Sequence, residues 1–371
     1  FCVIGMCPTL VTDPNGVHCD ISLDMLKNRM KYEDKGYMYE TGFQFCNLTE
    51  VNAGAFKDFD DALEAVKLAT ILGLIQATYT GTSDDYLADT CTKAILERES
   101  LLGVSLTGIC TAPEWLRSGG TLALLAEEAK NTAMIYYARV GLANPPARVT
   151  CVKPSGNASV LLGCSSGIHP EHAERYLRRV QVPPHSPIVQ RYIEHNPHGY
   201  EASVWGGMGD YVLPFALECK KDTLTRSYLS ATAFLDLVAT VQRLWVNKGT
   251  LRPQSVEGLR HNVSNTCTVD AHEWPDVKQT LLDGRELYCG VSCLSASGDY
   301  DYPQAPFQRV FHPSEIDISD PNHGVKMEAW RLWCTLRENA KEVEYDDVIE
   351  ETDTTEILNT VACGGGSCDI V

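Results

Sequence analysis

No stretch of this sequence approaches the roughly 18 consecutive apolar residues that a bilayer-spanning helix needs, and FCVIGMCPTLVTDPNG at its start has no basic residue before a short apolar run. Neither a membrane span nor the usual leader pattern is read in these residues, so a soluble protein with no membrane partner is expected. Positive charge is also scarce. Lys and Arg number 31 against 49 Asp and Glu, a formal charge of −18. Proteins that hold a nucleic-acid polymer neutralise its phosphates with a clustered basic surplus, and that class is excluded here. A small anionic ligand held by a few backbone N–H groups stays compatible with the charge. Internal repeats and low-complexity blocks are missing from the body of the chain, which argues against a solenoid. An even cysteine count is missing too. Fifteen cysteines are spread through 371 residues, a length that folds without staples, so a disulfide scaffold is not expected and a reducing cytoplasm is. The first residue is Phe1 rather than Met, which reads as a processed product, a truncated piece or an incomplete frame.

What is present is the alternation of an α/β fold, in one large or two ordinary domains. The segment DFDDALEAVKLATILGLIQATY (58–79) predicts a helix with Asp58, Asp60 or Asp61 as cap. TLALLAEEAKNTAMIYYARVGL (121–142) sets Leu122, Leu125, Ala126, Ala129, Ala133, Tyr136 and Val140 on one stripe. TLTRSYLSATAFLDLVATVQRLWVNKG (223–249) does the same with Phe234, Leu237, Val241 and Leu244 or Trp245, ending at Gly249. Strands are predicted at 103–108, 148–153, 261–269 and 286–294. Cys110, Cys151, Cys164, Cys267, Cys289 and Cys293 sit in apolar contexts and read as small core residues. His169, Glu171 and His172 in GIHPEHAERY suggest a metal site only weakly, and a structural role is preferred; no metal is expected.

Two segments carry chemistry. The stretch ENAKEVEYDDVIEETDTTEILNT has nine acidic side chains and one Lys, reads as a solvated linker, and leads to VACGGGSCDIV. Cys363 and Cys368 there flank three glycines and a serine, where packing has no use for them. Redox chemistry and metal binding both fit, but zinc wants a second Cys/His pair nearby, whereas a tethered dithiol can enter a narrow site and reduce a disulfide by exchange. The second segment, Lys153-Pro154-Ser155-Gly156-Asn157-Ala158-Ser159, follows the strand RVTCVK. Such a turn can aim N–H groups and hydroxyls at a phosphate, and it can equally be only a turn.

The runs FCNLTEVN (45–52), ERESLLGVSLTGI (97–109), KPSGNASVLLGCSSGIHPEHAERYLRRVQ (153–181), HNVSNTCTV (261–269), YPQAPF (302–307) and CGGGSC (363–368) occur in one order. Together they resemble the C-terminal half of a ribonucleotide reductase catalytic chain. FCNLTEV and YPQAPF tilt the resemblance to class II, the adenosylcobalamin-dependent enzymes of monomeric type. So does the lack of an adjacent Tyr pair between Tyr302 and Cys363. It implies an α/β fold, the second half of a ten-stranded α/β barrel with a flexible acidic C-terminal tail, divided as a poorly matched junction (1–42), barrel (43–337) and redox tail (338–371). It implies a thiyl radical that abstracts the 3′ hydrogen of a ribonucleotide while two cysteines supply electrons as the 2′ hydroxyl leaves. Cys46 would be one of those two, and Cys363 and Cys368 the tail dithiol. Pro154, Ser155, Gly156, Asn157, Ala158 and Ser159 would hold the substrate phosphates, with Ser155, Asn157 and Ser159 as side-chain donors. Adenosylcobalamin, a ribonucleotide triphosphate or diphosphate, a thioredoxin-like reductant and a separate N-terminal half are the implied cofactor, substrate and partners.

The family sets its thiyl cysteine in Asn-Pro-Cys-Gly-Glu about eleven residues before the position of Cys46, and here Glu33-Asp34-Lys35-Gly36-Tyr37 stands there. The partner of Cys46 also has no matching region. Three readings follow: a portion of a class II reductase completed by an N-terminal half, a degenerate relative that binds nucleotide without chemistry, and an independent thiol–disulfide module.

Overall fold

The computed structural model describes residues 2–3, 9–19, 23–80, 90–205, 209–251, 260–296 and 298–348. In chain order the elements are β1 (Cys2–Val3), β2 (Thr9–Thr12), β3 (His18–Cys19), α1 (Leu23–Lys27), α2 (Arg29–Glu33), β4 (Met38–Thr41), β5 (Phe45–Asn52), α3 (Phe59–Ala77), α4 (Thr90–Glu99), β6 (Leu102–Thr107), α5 (Gly119–Tyr136), β7 (Thr150–Cys151) and α6 (Asn157–Leu162). They continue as β8 (Arg175–Val182), α7 (Pro187–His195), β9 (Glu201–Ala202), β10 (Tyr211–Glu218), α8 (Ala231–Val241), β11 (Thr266–Val269), α9 (Trp274–Asp283), β12 (Ser292–Ser295), β13 (Phe307–Arg309) and α10 (His323–Asn339). Two compact units result, one from 1–174 with 219–297 and the other from 175–218 with 298–371.

The first unit is built on parallel strands. β5 pairs with β6 and β6 with β7, both parallel, while short β1 lies antiparallel on the outer edge of β5. A parallel bridge from Val152 to Val263 carries the run toward β11, which pairs in parallel with β12. Parallel strands need crossover helices, and α3 and α5 supply them. Helix α3 starts where Asp58 accepts from the Asp61 N–H, with Asp60 and Asp61 in its first turn. Its buried stripe of Ala62, Val66, Ala69, Thr70, Gly73, Leu74 and Ala77 is small enough to lie close on the sheet. Helix α5 is capped by Ser118 and buries Leu122, Leu125, Ala126, Ala129 and Ala133. It ends at Tyr136, short of Val140, which packs from the following turn. Every residue of β6 is buried, as expected of a strand covered on both faces.

The third predicted helix begins later than its apolar pattern, at Ala231 with Ser230 as cap, and passes at Gln242 into a π-turn through Val246. The Gln242 side chain donates to the His261 carbonyl and accepts from the Val263 N–H, pinning the chain that enters β11. The predicted strands 148–153, 261–269 and 286–294 are present in shortened form, as Thr150–Cys151, Thr266–Val269 and Ser292–Ser295. A small antiparallel sheet, β3-β2-β4, occupies part of 9–41.

The second unit is an antiparallel sheet in the order β13-β8-β10-β9. Helix α10 packs on it through Ala329, Trp333 and Leu336, with Leu177 and Val310 completing the core. Asn196, itself buried, exchanges hydrogen bonds with the backbone of Lys341, and Arg191 pairs with Asp347 at 2.6 Å. The first part of the acidic segment is therefore held against its own unit. Among the described residues no helix is long and apolar enough to cross a membrane.

Candidate active site

Strand alternation sorts β5, β6 and β7 into two faces. Leu102, Val104 and Leu106 belong to the core cluster that includes α3 and α5. The registered positions Leu48–Gly103 and Glu50–Ser105–Cys151 lie on the opposite face, joined by Cys46, Thr107 and Lys153. This face is polar at Glu50, Ser105, Thr107 and Lys153, while Cys46 and Leu48 pack with Leu101 and Ala147, and buried polar groups on strands need partners or a ligand.

At one end of this face Cys46 is fully buried. Its Sγ lies 3.8 Å from His261 Nε2, which donates at 2.7 Å to the Leu102 carbonyl. Gly103 is what lets side chains close here: a Cβ on it would stand 2.4 Å from Leu48 Cδ2, 2.7 Å from Cys46 Sγ and 3.0 Å from Cys151 Sγ. Burial, reinforced by the nearby Arg148 guanidinium, pushes His261 down from 6.5 to about 3, against the opposing hydrogen bond to Leu102. The ring is thus neutral in the fold, and its Nδ1 is buried without a hydrogen-bond partner. Because the unfolded chain takes up this proton below pH 6.5 and the folded chain does not until about 3, stability falls through that window as pH drops. We expect roughly 2 kcal/mol to be lost between pH 7 and pH 5 from this group. Urea unfolding at the two pH values measures it, and His261→Gln should flatten the difference.

At the other end, the C-terminal ends of the parallel strands, Lys153 Nζ pairs with Glu50 Oε2 at 2.8 Å, with side chains 17% and 10% exposed. The Lys153 N–H donates to Ser105 Oγ. The 154–159 turn follows directly. Gly156 adopts φ 55°, ψ −131°, a region closed to side chains, and starts α6. Ser159 Oγ donates to the Gly156 carbonyl, and the Ala158 N–H to the Ser155 carbonyl. Ser155 is 5% exposed and its Oγ has no partner in the structure. Asn52, at the end of β5, donates to the Leu162 carbonyl and fixes the far end of α6. A buried hydroxyl, an adjacent cation and the open N–H groups of a helix start match what a phosphate accepts from. Lys153→Met should cost roughly 2 kcal/mol, since it leaves Glu50 without its cation in a mostly buried position. Thermal unfolding checks this, and adding Glu50→Met should recover most of the loss.

Of the residues singled out in the sequence, Cys46 and the 154–159 turn lie at opposite ends of this face. Cys363 and Cys368 lie outside the described residues. Glu33–Tyr37, where the family's radical cysteine would stand, is the end of α2 and the turn into β4. His169 is structural: Nδ1 meets the Ser166 carbonyl, Nε2 accepts from the Thr266 N–H, and the ring stacks on Phe234 at 6.1 Å. Cys110, Cys151 and Cys267 are buried core residues, Cys164 and Cys293 are half-buried, and Cys289 is exposed because the chain before β12 runs outside the strand. Glu50, Lys153 and His261 fall within the runs singled out in the sequence, but the sequence assigned none of them a role.

No family model matches the chain. A probable adenosylcobalamin-dependent ribonucleoside-triphosphate reductase of Dictyostelium discoideum is 23% identical over 280 residues, covering 72% of this chain and 33% of the relative. The adenosylcobalamin-dependent ribonucleoside-triphosphate reductase of Euglena gracilis is 24% identical over 164 residues, 44% of this chain and 21% of that one. A putative enzyme of the same name from Mycobacterium phage D29 is 28% identical over 153 residues, 37% of this chain and 21% of the relative. A crystal structure of a B12-dependent, class II ribonucleotide reductase superposes with TM-score 0.56 at 16% identity, over 81% of this chain and 43% of that one. This chain resembles class II ribonucleotide reductases. It spans a third or less of the length of the curated reductases it matches. The fold likeness is to the α/β catalytic fold of the reductase, and the parallel strands β5, β6 and β7 with their crossover helices are its core here.

Proposed function

We propose that this chain is part of a ribonucleoside-triphosphate reductase that forms 2′-deoxyribonucleotides by thiyl-radical chemistry, completed by a separate N-terminal half. The observation that carries this reading is the single polar face of β5–β7, with a buried thiol, Cys46, at one end and the 154–159 turn at the other. Four strand residues, about 13 Å of rise, separate the level of Cys46 from that of Glu50. That leaves room for a ligand with phosphate at one end and the carbon to be reduced at the other. In this reading Ser155, Asn157, Ser159 and the backbone N–H groups of the turn hold the phosphates, and Lys153 adds positive charge beside them. Cys46 contributes one of the two reducing thiols, and Cys363 and Cys368 return it to the reduced state with electrons from a thioredoxin-like dithiol. The strands supply half of a ten-stranded barrel spanning 43–337, with 1–42 as a junction and 338–371 as the redox tail. A reducing cytoplasm suits such thiols.

Adenosylcobalamin, named for the relatives, would supply the initiating radical when bound. The described residues offer no donor set that marks its contacts, so the roles assigned to this chain are only those its own side chains carry: holding phosphate, excluding water from a buried thiol, and donating electrons and protons at Cys46 Sγ.

Deoxyribonucleotide formation from ribonucleoside triphosphate, with adenosylcobalamin and a dithiol, tests the reading by comparing the chain alone with the chain plus a candidate N-terminal half. Product is expected only in the mixture. Absence of product in both, with ribonucleotide still bound, would overturn it in favour of a nucleotide-binding relative without chemistry.

A further inference from the structure

Helix α3 is apolar on two opposite sides. Its small stripe from Ala62 to Ala77 meets the sheet, and the helical repeat sets Leu68, Ile71, Leu72, Ile75 and Tyr79 on the far side. Ile71 is half-buried, while Leu68, Leu72, Ile75 and Tyr79 are 52–69% exposed. No charged residue occurs from Leu68 through Tyr79. A helix apolar all round is normally buried, and a surface helix carries its charges on the outward side. Single exposed leucines need no explanation, but a continuous row of them marks a contact surface. Helix α5 packs beside α3 on the same face of the sheet and adds Leu124, Met134 and Ile135, each about half exposed.

We propose that this face joins a second copy of the chain in a two-fold dimer, with α3 antiparallel on α3. The row reads the same in both directions about the midpoint between Ile71 and Leu72. Antiparallel pairing therefore brings Leu68 to Ile75, Ile71 to Leu72 and Glu64 to Tyr79, so each apolar position meets an apolar one and the phenol can donate to the carboxylate. A two-fold interface demands such self-complementarity, because the same patch serves both sides; an unrelated partner does not. Charge selects the direction. Asp58, Asp60 and Asp61 crowd the start of α3, and antiparallel packing keeps the two acidic ends apart where parallel packing would stack them. A two-fold axis lying across both helices also sets α5 over α5. The exposed apolar side chains of α3 and α5 present on the order of 700 Å² per copy, so a pair buries about 1,400 Å², within the range of stable specific interfaces. The resemblance to reductases of monomeric type implies no such assembly, and the proposal stands independently of the reductase reading.

Sedimentation velocity of the full chain, from low to high micromolar concentration, gives the test, and a species of twice the chain's mass is expected. Leu72→Glu should weaken self-association roughly 100-fold or more, since each dimer would bury two unpaired carboxylates. Its circular dichroism and its thermal midpoint at monomeric dilution should match the parent chain, because Leu72 is exposed in a single copy. Ile318→Glu, at a still more exposed position in the second unit, should leave the dimer intact. Leu68→Glu and Ile75→Lys chains should each be monomeric alone and pair on mixing, because position 68 of one copy faces 75 of the other; in a parallel pair those positions lie about 10.5 Å apart along the axis. A chain that is monomeric at every concentration, a dimer indifferent to Leu72→Glu, or a mixture of the two charged variants that stays monomeric would overturn the proposal. So would a chain that is monomeric alone and binds a candidate N-terminal half through a contact that Leu72→Glu breaks, which would give the face to that half.

Discussion

Cys46→Ser, combined with the completing N-terminal half, is expected to drop deoxyribonucleotide formation to background while leaving the chain folded. The two halves of that expectation come from different features of the same residue. A hydroxyl cannot take part in thiol–disulfide exchange, so the electron pair that Cys46 would supply has no substitute on β5. Serine is close to cysteine in volume, and the site offers it a neighbour in His261, so the structural penalty is that of one imperfectly bonded buried hydroxyl, about 1–2 kcal/mol. Product per enzyme and the thermal midpoint, measured on the same preparation, separate the two effects. A variant that keeps its midpoint and keeps its activity would remove Cys46 from the chemistry.

Trp245→Ala should be the most destabilising single change in the first unit, by roughly 3–5 kcal/mol. Trp245 is fully buried, the largest such side chain among the described residues, and it lies in the main core cluster. It also ties the π-turn to the site strand in both directions. Its Nε1 donates at 2.8 Å to the Cys151 carbonyl, and its own carbonyl accepts from Thr150 Oγ1 at 2.7 Å. Losing the ring therefore opens a cavity and releases β7, the strand that delivers Lys153 and the 154–159 turn. Nucleotide affinity should fall together with the thermal midpoint. Trp245→Phe, which keeps much of the volume and removes only the indole donor, should cost nearer 1–2 kcal/mol. Differential scanning calorimetry of the three chains checks the order.

Local features of this fold were readable because local physics sets them. Asp58 followed by a small-residue stripe at helical spacing fixes α3, and Ser118 with its leucines and alanines fixes α5. Leu102, Val104 and Leu106, alternating with Gly103, Ser105 and Thr107, fix β6. The helix across 231–246 was legible in its stripe but not in its π-turn, which depends on Gln242 reaching His261 and Val263 across the core. The site was legible only in part. The 154–159 turn was readable from its small residues as a phosphate cradle or only a turn, while Cys46 came from the resemblance, since neither spacing nor composition distinguishes a catalytic thiol from a packed one. Glu50 meets Lys153, and Gly103 and His261 meet Cys46, across roughly fifty to two hundred residues of sequence, and no short motif encodes such meetings. Cys289 misled because an apolar neighbourhood in sequence became an exposed approach to β12. β1 is two residues long, below the length at which alternation carries any signal, so its register opposite Cys46 could be found only in the structure.

The most direct test of the account is a single-turnover experiment on the completed enzyme with adenosylcobalamin, ribonucleoside triphosphate and no external reductant. The fraction of Cys46 that resists alkylation after acid quench is measured against the deoxyribonucleotide formed. The account predicts that each product molecule made before the tail re-reduces the site matches one Cys46 held in a disulfide, a correspondence made complete by Cys363→Ser with Cys368→Ser. Deoxyribonucleotide formed in that tail variant while Cys46 remains fully alkylated would contradict it.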